Sequence, residues 1–148
     1  MEISAKVIQV LVGMVANGDL ETYIYQTVNK ANVQIDYEKT PAAVFYCLSK
    51  WNVNLNLGIV REEASVGLGF VKRQSELDYD GSHNEALVDE CKALSMKFLN
   101  LLKVGGGVEI MDDEIKCTTL RDKYDANVTG VWIEFNCRDN GGECLANY

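Results

Sequence analysis

Apolar residues recur with a helical rhythm in two stretches of the chain and alternate with polar residues in others. The longer helical stretch carries Leu87, Cys91, Leu94, Phe98 and Leu101 at spacings of four, three, four and three. Val88 and Leu102 widen that stripe to the breadth of a helix lying on a sheet. Ser82 and Glu85 form a capping box, which places the helix start at His83. Gly105, Gly106 and Gly107 end it, because glycine takes a left-handed cap without steric cost. Asp78, Asp80 and Glu85 at its beginning and Lys97 and Lys103 toward its end follow the sense the helix dipole favours. Ile3, Val7, Val10, Leu11, Met14 and Val15 predict a shorter helix over residues 3–16, stopped by Asn17 and Gly18. Few charges lie on its other side, so it is either simply buried or sandwiched between the sheet and a neighbouring subunit.

The remaining patterns read as strands. Residues 22–28 (TYIYQTV) are β-branched and aromatic, and residues 42–49 (AAVFYCLS), entered at Pro41, suit a strand buried on both faces. Alternation is clearest from Trp51 to Leu57, where Trp51, Val53, Leu55 and Leu57 take every second place and Asn52, Asn54 and Asn56 fill the gaps. Two readings suit this segment: a half-buried strand with a wet outer face, or a projecting hairpin arm near 50–64, with Arg61, Glu62 and Glu63 at its tip, whose apolar side meets another copy of the chain. In residues 65–73, Val66, Leu68 and Phe70 point one way. Gly67 and Gly69 leave the other face bare for something bulky, for which the following helix is the natural candidate. One further strand is expected over 108–110 and 115–120, interrupted by an acidic turn at Met111, Asp112, Asp113 and Glu114, and another at 128–137, with a loop over 121–127. In the last strand Val131, Ile133, Phe135 and Cys137 face inward, whereas Trp132, Glu134 and Asn136 face out. Residues 138–148 read as a loose tail. The predicted fold is a single α+β domain: a mixed or antiparallel sheet of about four to five strands with one long and one shorter helix packed on it.

Composition narrows the function. The chain has 148 residues, 47% of them hydrophobic, enough for a core without staples. Its net charge of −8 argues against a general binder of nucleic acid or anionic membrane, which works through Lys and Arg. No apolar run reaches membrane-spanning length, and MEISAK lacks the basic start of a signal peptide, so a reducing cytoplasm is the expected site of synthesis. The five cysteines show no C-x-x-C spacing, and Cys47, Cys91 and Cys137 fall on apolar faces as small core residues. The single histidine, His83, has no nucleophile or orienting acid suggested near it. Asp78, Asp80, Asn84 and Glu85 depart from the calcium-loop pattern at most places, and Asp112 to Glu114 reads as a solvated turn. The glycines at 67, 69 and 105–107 do not form a phosphate loop, since none follows a strand and opens a helix. No catalytic, metal or cofactor site is therefore expected, and the chain is read as not an enzyme.

Two stretches, GFVKRQSELDYDGSHNEALVDECKALSMKFLNLL and LRDKYDANVTGVWIEFNCRDNGGEC, resemble small neck or tail-completion proteins of tailed phages and prophages of the Bacteroides group, crAss-like phages included. Leu77-Asp78, the helix end from Phe98 to Leu101, and Tyr124-Asp125 through Thr129-Gly130 to Trp132 carry the resemblance, which reaches back to Pro41. It implies a tail-terminator-like, head-to-tail joining fold. Such subunits form rings, commonly of about six- or twelve-fold symmetry, around the DNA channel. The implied partners are other copies of the chain and portal-side and tail-side virion proteins. DNA would pass through without sequence-specific binding, and the location would be the virion neck or tail, assembled in the host cytoplasm. Trp51, Val53, Leu55, Leu57, Arg61, Trp132 and Tyr148 are the expected subunit-interface residues. The alternative is a cytoplasmic small-molecule-binding or enzymatic α+β domain with its pocket between the Gly67/Gly69 face and the helix.

Overall fold

The computed structural model describes residues 2–27, 39–73, 81–123 and 128–148, with the backbone alone for 81–84, 122 and 123. Its elements in chain order are α1 (Glu2–Ala16), β1 (Thr22–Gln26), β2 (Ala42–Tyr46), β3 (Trp51–Asn54), a 3₁₀ turn (Asn56–Gly58), β4 (Ile59–Arg73), α2 (Gly81–Gly105), β5 (Val108–Ile110), β6 (Lys116–Lys123), β7 (Val128–Asp139), β8 (Glu143–Cys144) and a closing turn (Leu145–Asn147). The fold is α+β with a mixed sheet, since β1 runs parallel to β2 and the other pairings are antiparallel.

Among the described residues the sheet holds eight strands, not four to five. The extra strands come from interruption. The fifteen-residue β4 is the spine. Along one side of it lie β2 and then β3; along the other lie β7 and then β8; β6 and β5 follow one another along the far side of β7. Breaks at 47–50, 111–115 and 140–142 cut three lanes in two. The break at 111–115 is the acidic turn, and Asp112 holds it to β7 by accepting from the Asn136 backbone N–H at 2.6 Å and from its side-chain amide at 3.2 Å.

Side-chain alternation along β4 and β7 gives the sheet two different faces. Val66, Leu68, Phe70, Val131, Ile133, Phe135 and Cys137 face the helices and are buried against Ile3, Val7, Leu11 and Met14 of α1 and Cys91, Phe98 and Leu102 of α2. The Phe98 ring lies 5.7 Å from that of Phe70 and 6.4 Å from that of Phe135. On the opposite face Ile24, Ala42, Val44, Val71 and Val128 form a smaller cluster with Tyr46 and Leu120. Gly130 sits where the strands are closest, and a side chain there would run into the Phe70 carbonyl.

Several expectations change. Leu101 is 39% exposed, whereas Leu102 and Ser95 are fully buried, because a straight helix drifts off a strict four-three stripe over this length. Helix α2 begins by backbone at Gly81; the Ser82–Glu85 capping box, His83, Asp78 and Asp80 lie wholly or partly outside the described residues. The Gly67/Gly69 face does not receive a helix. It receives the Trp132 indole, which would stand 2.5 Å from a Cβ at Gly67 and 3.2 Å from one at Gly69. Trp132 is accordingly half-buried, its ring 5.1 Å from that of Tyr46 and its Nε1–H donating to Glu134 at 3.0 Å. Residues 121–123 extend β6; the rest of the expected loop, 124–127, lies outside the described residues.

Cys91 and Cys137 are buried as expected, but Cys47 is exposed, because β2 ends at Tyr46 before the chain reaches it. Burial pushes both buried thiols up to about 12. At pH 8 their thiolate fraction is then on the order of one in ten thousand. An aromatic disulfide reagent should therefore titrate Cys47, Cys117 and Cys144 quickly in the native chain and Cys91 and Cys137 only after denaturant is added. Five thiols reacting in a single phase would contradict this packing.

Candidate subunit interface

Strand β3 and the first part of β4 form a hairpin paired Trp51–Ala64 to Asn54–Arg61. Its turn lies at 55–58, not at Arg61 to Glu63, which belong to β4. The reason is local: Asn54 Oδ1 accepts from the Asn56 N–H at 2.8 Å, an Asx turn that reverses the chain early. Gly58 follows with a φ of 72°. Between them Leu57 adopts a φ of 58° and a ψ of 27°, the left-handed region that costs a leucine about 1–2 kcal/mol. It is also 90% exposed. A hydrophobic side chain is thus held at the hairpin tip in a conformation that glycine or asparagine takes more easily.

Register places Trp51 and Val53 on the helix side of the sheet, across from Ala64 and Glu62. Both stay half-exposed, as does Leu55. With Val60, Glu62, Asp139, Leu145, Tyr148 and the start of α1 they line an open cleft of about 680 Å³. The root of the arm is fixed by polar contacts. Glu62 accepts from the Ile3 N–H at 3.2 Å, capping α1 with a carboxylate where the helix dipole is positive. Lys6 pairs with Asp139 and donates to the Gly107 carbonyl at 3.0 Å, joining α1, β7 and the end of α2. On the reverse side Glu63 accepts from the Asn54 amide at 3.0 Å, and Arg138 donates to Glu109 at 2.8 Å, a bond that holds its guanidinium above its usual range.

Residues 138–148, expected to be loose, continue the arm. Asp139 is buried and accepts from the Gly141 N–H at 3.2 Å, and β8 then pairs with Ile59 and Val60. Tyr148 is largely exposed, and its hydroxyl donates to Glu143, which raises the phenol above its ordinary value. Backbone pairing to β4 and the buried Asp139 carboxylate together position this segment.

The structure therefore gathers Trp51, Val53, Leu55 and Tyr148 around one cleft and sets Leu57 at the tip above it. Arg61 lies half-buried within β4 against Gly142, and Trp132 belongs to the other face of the sheet. The pocket expected between the Gly67/Gly69 face and the helix does not form, since Trp132 covers those glycines and the helices lie on the opposite side. Among the described residues no group of three His, Cys, Asp or Glu side chains is placed to hold a metal ion. No described helix is long and apolar enough to cross a membrane.

The sequence-based reading passed over a second apolar surface, on the outside of the helices. Val12, Met96, Leu101 and Val104 are exposed there. The signal was available: α2 carries more large apolar residues than one stripe can bury. The chain matches no protein-family model, and no curated protein matches it in sequence.

Proposed function

We propose that the chain is a structural subunit of a bacteriophage virion neck or tail, forming a ring at the head-to-tail junction around the DNA channel. The observation that carries this reading is the arm. Trp51, Val53 and Leu55 are exposed around one cleft on a hairpin whose root is pinned to α1, with Leu57 exposed at its tip, and exposed apolar surface of this kind marks interaction sites. The resemblance to small neck and tail-completion proteins supports the same assignment. So does the charge of −8, because a channel lined with carboxylates repels phosphate and offers sliding DNA nowhere to stick. Copies of the chain supply the ring, and portal-side and tail-side virion proteins dock on its two ends.

Light scattering and negative-stain microscopy of the concentrated full chain test this. Closed rings are expected. The paired substitutions Trp51→Ser and Val53→Ser should weaken association at least ~30-fold, the worth of one hot-spot aromatic, while costing the monomer no more than about 1–2 kcal/mol because both side chains are half-exposed. A chain that stays monomeric at millimolar concentration, or that turns over a small-molecule substrate, would sink the proposal.

A further inference from the structure

A ring is closed by heterologous contacts, in which a patch on one copy meets a different patch on the next. The arm is one such patch, and the outer side of the helices carries a second. Helices α1 and α2 run antiparallel, with Lys6 beside Gly107 and Lys97 beside Asp19. Between them lies a groove of about 520 Å³ lined by Val10, Gly13, Leu101 and Gly105. Apart from its chain neighbours and its own helix backbone, nothing comes within 4 Å of where a Cβ would stand on Gly13 or Gly105, so the groove is open to an incoming side chain at both places.

Charge selects the occupant. Two copies each at −8 repel, so a contact between them forms where neither brings net charge. The groove meets that condition: its charged groups, Asp19 and Lys97, pair with each other at 2.7 Å, and the lysine holds the aspartate below the usual carboxylate range. The tip of the arm meets it too, since Leu55, Asn56, Leu57 and Gly58 carry no charge.

The tip itself supplies an independent argument. Leu57 is 90% exposed, touching almost nothing of its own chain, and it holds a left-handed backbone conformation. Asparagine would suit that position better in an isolated molecule, on conformation and on hydration alike. A leucine kept at the end of an arm under both penalties is accounted for when another surface covers it. We infer that Leu57 inserts between α1 and α2 of the next copy, joining subunits head to tail. This rests on the reading of the chain as a self-assembling subunit, and it names where the arm goes.

The test uses the full chain with Cys47→Ser, Cys117→Ser and Cys144→Ser, which removes the exposed thiols. Chains carrying Leu57→Cys and chains carrying Leu101→Cys are mixed and mildly oxidised. A covalent pair between the two kinds, exceeding either kind paired with itself, supports the docking. Assemblies that persist by light scattering with no mixed pair, or with Leu57→Cys pairing only to itself, overturn the docking and leave the ring reading standing. A chain that neither assembles nor cross-links overturns both. Leu57→Asn adds an opposed pair of readouts. The monomer should gain about 3 °C in unfolding midpoint while association falls by about tenfold or more; unchanged association would overturn the inference.

Discussion

Replacing Phe98 by alanine lowers the unfolding free energy by about 3–5 kcal/mol, the range for removing a fully buried aromatic ring. Phe98 is 0% exposed, and its ring is the point where α2 meets Phe70 of β4 and Phe135 of β7. The cavity left behind is bounded by the backbone of three long elements, which cannot collapse to fill it, so the cost belongs near the upper part of that range. Chemical denaturation should show a lower midpoint with an unchanged slope, since the same surface is exposed on unfolding. Leu101→Ala, three residues along the same helix, serves as the control. That side chain is 39% exposed and should cost under about 1 kcal/mol. The pattern in sequence puts both residues on one stripe, so equal losses from the two variants would contradict the observed rotation of α2.

Asp139→Ala is the second large effect, a loss of about 2–3 kcal/mol. Breaking a buried ion pair from one side costs roughly 3–5 kcal/mol, because the remaining charge is stranded. The figure is reduced here because Lys6 keeps 23% of its side chain exposed against 8% for Asp139, so water partly screens the orphaned ammonium. Replacing both residues, Lys6→Met with Asp139→Leu, should recover most of the loss. The aspartate also accepts from the Gly141 N–H, the bond that turns the chain from β7 into β8. Asp139→Ala should therefore loosen β8 and bring earlier amide exchange at Glu143 and Cys144 than the global loss explains. If exchange there followed global stability alone, the turn would not depend on this carboxylate.

The two helices were legible because each carries its own period and its own glycine stop: Glu2–Ala16 and Gly81–Gly105 fall within two residues of the expected bounds. The inward row of β7, from Val131 to Cys137, was legible for the same reason. The exposed arm was half legible. Trp51, Val53 and Leu55 stood out by alternation, yet the turn was placed too late, because an Asx turn at Asn54 weighs less in a pattern than the polar run Arg61 to Glu63. Trp132 was assigned outward correctly, but the groups that cover it were not legible. Its partners, Gly67, Gly69 and Tyr46, come from strands brought beside it by pairing that no local pattern encodes.

By itself the sequence determined that this is an α+β chain with a core on one side of each helix and a row of large apolar residues left over near Trp51. Those properties follow from backbone periodicity, which acts over a few residues and is written in their order. Only the tertiary structure decided that three lanes of the sheet are each broken in two, that the glycine face belongs to Trp132, and that Leu57 and the α1–α2 groove stand on separate surfaces. Each of these depends on which distant segments pair, and that choice comes from summed burial and hydrogen bonding across the whole chain, not from any single stretch of it.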